Sequence, residues 1–535
     1  VSVKKKLIRN TIVNYIIKLW GFVLHIFLFA FILGHVGPDD YGIYFFVAAI
    51  FGLFGFLDLG IGHSLVKFVA EYHAKDDKEK LNEVINTTFF IFLFIGFVGA
   101  MILFMIGTFL LNYLVNDDIF LKAQAIMYLI GANFMFGMAL SSLKGILAGL
   151  QRYDILALIT FVVSLVNLSV TVLVLSWGGN IVDWLFFTTI AGSLGFVLTA
   201  WYIQRLAPHI TISLYYLRRG MIKVLMDLSM SVFLLQVFVI VIYQTDKIVI
   251  GLLLNVTLIT FYQAALTLYG IPSSLPSISL YAIIPAASEL EATENLQALK
   301  KLFLRATKYV LAFCLALAVP LFFLSRDMLT LYLGDEYGQY YIIVQILTIS
   351  LFFDFNNYVA TQILIGMNKI QKFVKYYGIV AVMNLGLSVY LVQQGLGLRG
   401  VALGTTIPFA LLEVFFLRYV FKVLDIKWKT YAKQVFAKTF PIAAVTGAFM
   451  FGLIFLRAPY IVGIHPTYPS LFRDIIELGG YFAAGCGFYL LLFYYLGLEK
   501  YEKEEIRQML SGLRSRLKFW SKKEKDSQTS SEDNQ

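Results

Sequence analysis

Fourteen long apolar runs, separated by short polar loops, occupy nearly all of this 535-residue chain. The hydrocarbon core of a bilayer is about 30 Å thick, and a helix needs roughly 20 apolar residues to cross it. The runs lie at 11–35, 42–66, 86–114, 120–143, 154–177, 181–204, 227–253, 259–285, 307–326, 341–365, 376–394, 400–421, 439–457 and 475–497. In lipid every backbone polar group must be satisfied within its own segment, so each run is expected to be a helix. A mean hydropathy of +0.78 agrees with an all-α polytopic membrane protein.

No interval between runs is long enough for a soluble catalytic domain. Cys314 and Cys486 both fall inside apolar runs, so no disulfide framework is indicated. There is no Cys/His cluster at zinc spacing, no phosphate-cradling glycine loop and no nucleophile elbow. Neither catalytic residues nor a bound metal is therefore expected, and the chain reads as a transporter rather than an enzyme. The net charge of +10 does not call for nucleic acid. An excess of Lys and Arg on cytoplasmic loops accounts for it. The N-terminal cluster Lys4, Lys5, Lys6 and Arg9 resembles a secretory signal. The apolar run behind it is too long for a signal core, so it reads as the first span.

Orientation follows from the basic residues. With the N-terminus inside, 36 of the 43 Lys and Arg fall on the cytoplasmic side and 5 outside, with Lys18 and Lys247 left within spans. This places both termini in the cytoplasm of a cell-membrane protein. After the last span, Ile506, Met509, Leu510, Leu513 and Leu517 recur at helical spacing among Lys and Arg, as in an interfacial amphipathic helix. The polar stretch 521–535 is expected to be disordered.

Sliding the chain by 218 residues superposes the first six spans on the next six. Tyr44 meets Tyr262, Gly52 meets Gly270, Glu71 meets Glu289 and Asp117 meets Asp335. With a one-residue slip, 147–152 meets 364–369. Each copy holds an even number of spans, so the copies are parallel repeats, with a central cavity between two bundles. The expected domains are a six-helix bundle at 1–220, its repeat at 221–432, two appended helices at 433–498 and a cytoplasmic segment at 499–535.

The stretch Tyr41-Gly-Ile-Tyr44, then Leu57-Asp-Leu-Gly-Ile-Gly62, then the charged loop 71–83 resembles the start of the polysaccharide transporters. These are the oligosaccharide flippases of the multidrug/oligosaccharidyl-lipid/polysaccharide exporter superfamily. Thr245-Asp-Lys-Ile-Val-Ile-Gly251 and Leu333-Gly-Asp-Glu-Tyr337 extend the likeness over about 1–440. The resemblance implies a flippase that moves a lipid-linked oligosaccharide from the inner to the outer leaflet by alternating access, for cell-surface polysaccharide synthesis. Its partners would be membrane lipids, a glycan polymerase and glycosyltransferases. A multidrug or organic-cation antiporter of the same superfamily is the alternative. A membrane glycosyltransferase or polysaccharide polymerase ranks third, because the external loops are short and sparsely charged.

Ionisable residues within spans mark cavities or helix contacts. Asn14, Lys18 and His25 share one face of span one, with Gly21 on the same stripe. Gln236, Tyr243 and Lys247 form a matching stripe in span seven, with Lys18 superposed on Gln236 and His25 on Tyr243. These six are the expected binding set for phosphate and sugar, with snorkelling to the interface as the alternative for the lysines. Asp58, Asp246, Asp354, Asn357 and Thr361 are candidate ligands for a coupling Na⁺ or H⁺. Interhelical hydrogen bonding is the competing role for Asp354, Asn357 and Thr361, and a structural ion pair for Asp246. Glu413 has no evident partner. Pro272 and Pro276 in span eight are expected to kink it, as a gate or as a fixed bend.

Overall fold

The computed structural model describes residues 3–58, 61–277, 280, 283–457, 468–505 and 507–508. Within its helices, the side chains of 3–18, 56, 58, 63, 219, 224, 226–232, 235, 276, 277, 457 and 468–472 lie outside that description. The expected roles of Asn14, Lys18, Asp58 and Pro276 therefore fall outside it, as do most of the amphipathic helix and the polar tail.

Regular structure among the described residues is entirely helical. The N-terminal part comprises α1 (Val3–Gly52), α2 (Ile61–Ala74), α3 (Lys78–Met105), α4 (Asp117–Gly149), α5 (Tyr153–Ser176) and α6 (Ile181–Leu206). Next come α7 (Arg219–Leu253), α8 (Val256–Ser277), α9 (Ile283–Ala292), α10 (Leu296–Leu333), α11 (Asp335–Gly338) and α12 (Tyr341–Gly366). They are followed by α13 (Gln371–Leu391), α14 (Gly397–Leu424), α15 (Trp428–Tyr431), α16 (Ala437–Arg457) and α17 (Tyr468–Leu492).

Among the described residues, eleven segments are long and apolar enough to cross a membrane, against the fourteen spans expected. Two of the eleven are hairpins. In α1 the backbone turns at Gly37, whose φ of 78° suits glycine. Phe29 then meets Tyr41 and Phe45 across the bend, with ring centroids 5.3 and 6.0 Å apart. A straight helix would hold residues 29 and 45 roughly 24 Å apart. The segment Gln371–Leu424 likewise turns at Gly395, so that Gly404 packs on Ser388. Expected span eight, α8, is not among the eleven; serines and prolines dilute its C-terminal half. Length and apolarity alone do not fix the number at fourteen.

Boundaries shift where glycine and charge intervene. The run expected at 42–66 breaks into the end of α1, a 3₁₀ turn at Leu53–Asp58 and a separate α2. The run expected at 259–285 ends as a helix at Ser277. Helices α3 and α10 start eight or more residues before their apolar runs, at Lys78 and Leu296. Charged residues stand in the first turn of α3 (Lys78, Glu79, Lys80) and the second turn of α10 (Lys300, Lys301), and at about 1.5 Å per residue both helices exceed the hydrocarbon thickness.

The repeat is visible in the backbone. Helix starts Lys78 and Leu296, Asp117 and Asp335, and Tyr153 and Gln371 are each 218 residues apart. The N-caps match as well: Asp77 accepts from the Lys80 N–H, and Asn295 from the Ala298 N–H. Left-handed turn residues recur in pairs: Asp76 with Glu294 (both φ 52°), Gln151 (59°) with Asn368 (54°), and Gly178 (85°) with Gly395 (84°). The last two pairs carry the one-residue slip.

Helices α1–α6 pack mainly on one another, as do α7–α10 and α12–α14, while α16 and α17 lie against α10. The groups meet where α1 crosses α7 and α8. There Thr257 donates to Asp39 (2.7 Å) and Thr260 to the Pro38 carbonyl (2.7 Å). A methyl group on Gly42 would overlap the Val256 carbonyl, and one on Gly251 would overlap the Phe46 ring. Tyr332 also donates to the Ile26 carbonyl.

The C-terminal turn 500–505 docks on the start of α10. The carboxyl of Glu502 takes Lys308 Nζ on both oxygens at 2.6 Å, and Tyr309 Oη at 2.6 Å. Arg305 lies over the Tyr501 ring, 4.6 Å from its centroid. Burial pushes the Glu502 carboxyl up, but the Lys308 and Tyr309 hydrogen bonds outweigh it and hold the group below its ordinary 4.5. Such a carboxyl contributes stability that is complete above its unfolded value and fades as pH falls through its lower folded value.

Two outcomes follow from this packing. Gly42→Val should lower the melting temperature of the purified protein by several degrees, the signature of overpacking worth about 1–3 kcal/mol. Gly21→Ala should leave it unchanged, since nothing lies within 4 Å of a methyl there. A nitroxide on Glu504→Cys should stay immobile at neutral pH and become progressively mobile as pH falls below 4.5, or be mobile at any pH in Lys308→Met. Immobility in both conditions would refute the docking.

Candidate functional site

Four helices converge on Asp246. Its carboxylate accepts from Tyr262 Oη (2.7 Å) on α8, from Thr405 Oγ1 (2.9 and 3.1 Å) on α14, and from Asn384 Nδ2 (3.4 Å) on α13. Thr245 donates to Asn384 Oδ1 at 3.0 Å. The expected ion pair is absent among the described residues. Neutral donors satisfy Asp246 instead, as a buried carboxylate in a low-dielectric setting requires. None of Tyr262, Asn384 and Thr405 was expected at the site. A lone Asn or Thr within an apolar run was the available signal, but only the fold brings three of them to one acid.

Lys247, the next residue, points elsewhere, as adjacent helical positions lie about 100° apart. Its ammonium sits over the Phe45 ring of α1, 5.6 Å from the centroid. It makes no ion pair or hydrogen bond among the described residues. His25 is exposed on α1 within electrostatic range of Lys247. The structure thus brings His25 and Lys247 near each other across the seam, one from each half. Gln236 is half-buried further along α7.

Tyr243 departs from the expected stripe. It lines a cavity of about 390 Å³ with Tyr269, Tyr358, Gln362 and Asp354. Tyr269 Oη donates to Asp354 at 3.4 Å. Tyr243 was expected beside Lys247 in the binding set; the charged group that lines its cavity is the acid Asp354. The four positions from 243 to 247 keep the two on related faces, but different helices cover each.

Asp354 and Asn357, expected with Thr361 on one face, border different cavities. Asp354 faces the tyrosine-lined cavity, whereas Asn357 lines a void of about 20 Å³ with Glu413, Tyr376 and Tyr377. Three residues along a helix turn about 300°, enough to bring a different neighbour into view. A third cavity, about 390 Å³, lies among α1, α4, α5 and α6. Its polar lining is uncharged: Tyr44, Asn133, Asn167, Trp184, Thr188 and Ser193. Pro272 is buried within α8. No group of three or more metal-ligating His, Cys, Asp or Glu side chains occurs among the described residues.

Comparison with solved structures identifies the architecture. The chain is similar to the lipid II flippase MurJ in an inward closed conformation, with TM-score 0.65 and 16% identity, covering 89% of this chain and 97% of that one. It is equally similar to a multidrug resistance MATE family transporter of the MOP superfamily. The inward-facing form gives TM-score 0.65 and 15% identity over 76% of this chain and 94% of that one. The outward-facing form gives 0.62 and 15% over 79% and 96%. These likenesses establish a shared membrane-transporter fold. No curated protein sequence matches the chain significantly. A family model described as "Polysaccharide biosynthesis protein" matches residues 3–291, more than half of the chain. With its helical repeats, its seam and that match together, the chain belongs to the polysaccharide biosynthesis protein family.

Proposed function

We propose that this protein flips a lipid-linked oligosaccharide, a polyprenyl phosphate or pyrophosphate sugar, from the inner to the outer leaflet for cell-surface polysaccharide synthesis. The observation that carries the reading is Lys247: a half-buried cation that makes no ion pair among the described residues, at the seam between the halves, with His25 opposite. Family membership and the fold shared with a lipid II flippase support it.

The physics is direct. Each unpaired hydroxyl of a sugar costs several kcal/mol in hydrocarbon. A hydrated passage between the halves removes that cost while the polyprenyl tail stays in lipid. The phosphate is the only part of such a substrate with fixed charge. Lys247 and His25 attract it at the seam, and Gln236 extends the polar track along α7. Rocking of one half on the other, about α1 and α7–α8, exposes the passage to each side in turn, with no chemical step in this chain. Both termini lie in the cytoplasm, beside the glycosyltransferases that build the substrate, and the polymerase that consumes it acts at the outer face.

The acidic, tyrosine-lined cavity around Asp354 favours a second reading, an organic-cation antiporter. Aromatic faces and a carboxylate suit a desolvated cation.

Export assays in cells lacking the endogenous protein separate the two. Lys247→Gln with His25→Ala should lower surface glycan roughly tenfold or more, the loss expected when charge-assisted contacts to phosphate are removed. Insertion into the membrane should be unchanged. Wild-type export by that double variant would reject phosphate attraction at the seam. Asp354→Asn should leave export near wild type; a loss of cationic dye extrusion instead would establish the antiporter.

A further inference from the structure

Among the described residues, one carboxyl inside the bilayer region has no hydrogen-bond partner on either oxygen. Glu413, on α14, is 6% exposed, and neither Oε1 nor Oε2 has a donor within 3.5 Å, although the amides of Asn356 and Asn357 stand beside it. On facing α12, Asn357 Oδ1 and Thr361 Oγ1 are buried and unpaired as well. Glu413 and Asn357 border the same 20 Å³ void, closed by the rings of Tyr377, Phe409 and Phe416.

The surroundings offer no compensating charge. The titratable or polar groups that face Glu413 are Asp354, Asn356 and Asn357 on α12, Tyr376 and Tyr377 on α13, and Tyr431 on α15. Tyr431 is committed, since it donates to Asn356 Oδ1 at 2.7 Å. On α10, Lys308 is committed to Glu502. An ionised carboxylate buried without a partner costs several kcal/mol, so something positive must accompany it. Glu413 Oε1 and Oε2 and Asn357 Oδ1 border the gap from facing helices, and Thr361 Oγ1 lies one turn beyond Asn357 on α12. Such a gap admits one water-sized occupant, since about 10–15 Å³ is the minimum for a water. A divalent ion would call for further carboxylates, but Asp354 is turned to the neighbouring cavity.

We propose that Glu413, with Asn357 Oδ1 and Thr361 Oγ1, forms a binding site for a single monovalent positive charge, a proton or a small alkali ion. The site lies within the C-terminal half, away from the Asp246 cluster and from the seam. Loading neutralises α14 against α12. Unloading leaves a bare carboxylate between them, which favours admission of water by their separation. This assignment stands independently of which solute the chain carries.

The test uses the full chain in lipid nanodiscs, with ²²Na⁺ as the ion probe and infrared absorption of protonated carboxyls as the proton probe. For an alkali-ion site, saturable ²²Na⁺ binding should weaken roughly tenfold or more in Glu413→Gln and to a lesser degree in Asn357→Ala and Thr361→Val. For a proton site, ²²Na⁺ binding is unaffected, and a protonated-carboxyl band that titrates with pH disappears in Glu413→Gln. That band should shift in Asn357→Ala, which also reads the site if Glu413→Gln fails to fold. Asp246→Asn and Asp354→Asn serve as companions. The proposal is overturned if Glu413→Gln and Asn357→Ala leave both signals as in the wild type, or if only the two aspartate variants alter them. Neither outcome bears on glycan export through Lys247.

Discussion

Lipid cannot replace a lost hydrogen bond, and that constraint shapes the whole molecule. It forces the backbone into helices whose N–H and C=O groups pair internally. It also explains why polar side chains in the membrane region gather around one another. Asp246 is surrounded by donors from three other helices. Serine and threonine hydroxyls turn back onto carbonyls of their own helices, as Thr199 does onto Gly195. Against that background an unsatisfied carboxyl such as Glu413 is conspicuous, because the buried acids Asp246 and Asp354 each accept a hydrogen bond from a tyrosine.

The two halves divide their polar interiors differently. The N-terminal half encloses an uncharged cavity of amides, hydroxyls and a tryptophan. The C-terminal half concentrates the buried acids Asp246, Asp354 and Glu413. Positive charge sits between them, on Lys247 and His25. A repeat that began as two equal copies has thus been specialised: neutral polarity on one side, acids on the other, cations at the join.

Much of the fold was legible in the chain itself. Hydropathy gave helix positions, and the 218-residue offset anticipated helix starts such as Lys78 and Leu296. It even anticipated the slip that pairs Gln151 with Asn368. Less legible were features set by what lies across a helix. The hairpin at Gly37 leaves only a short Gly-Pro signal, and the break after Leu53–Asp58 is hidden within apolar residues. Periodicity placed Tyr243 with Lys247 correctly on one helix, but could not say that Asp354 covers the first and Phe45 the second. Asn384 and Thr405 were invisible as partners of Asp246 because three separate helices must dock before they meet. Glu413 stood out in the sequence as an isolated acid, and docking gave it neighbours without giving it a partner.

The seam at Gly42 has a mechanical consequence. Where main chain rests on main chain, no rotamer can cushion a partial withdrawal, and van der Waals attraction is lost steeply within the first ångström of separation. Contact between α1 and the start of α8 therefore behaves as a snap fastener rather than a sliding joint. Intermediate gaps gain nothing, so at this end the halves are either clasped or fully apart.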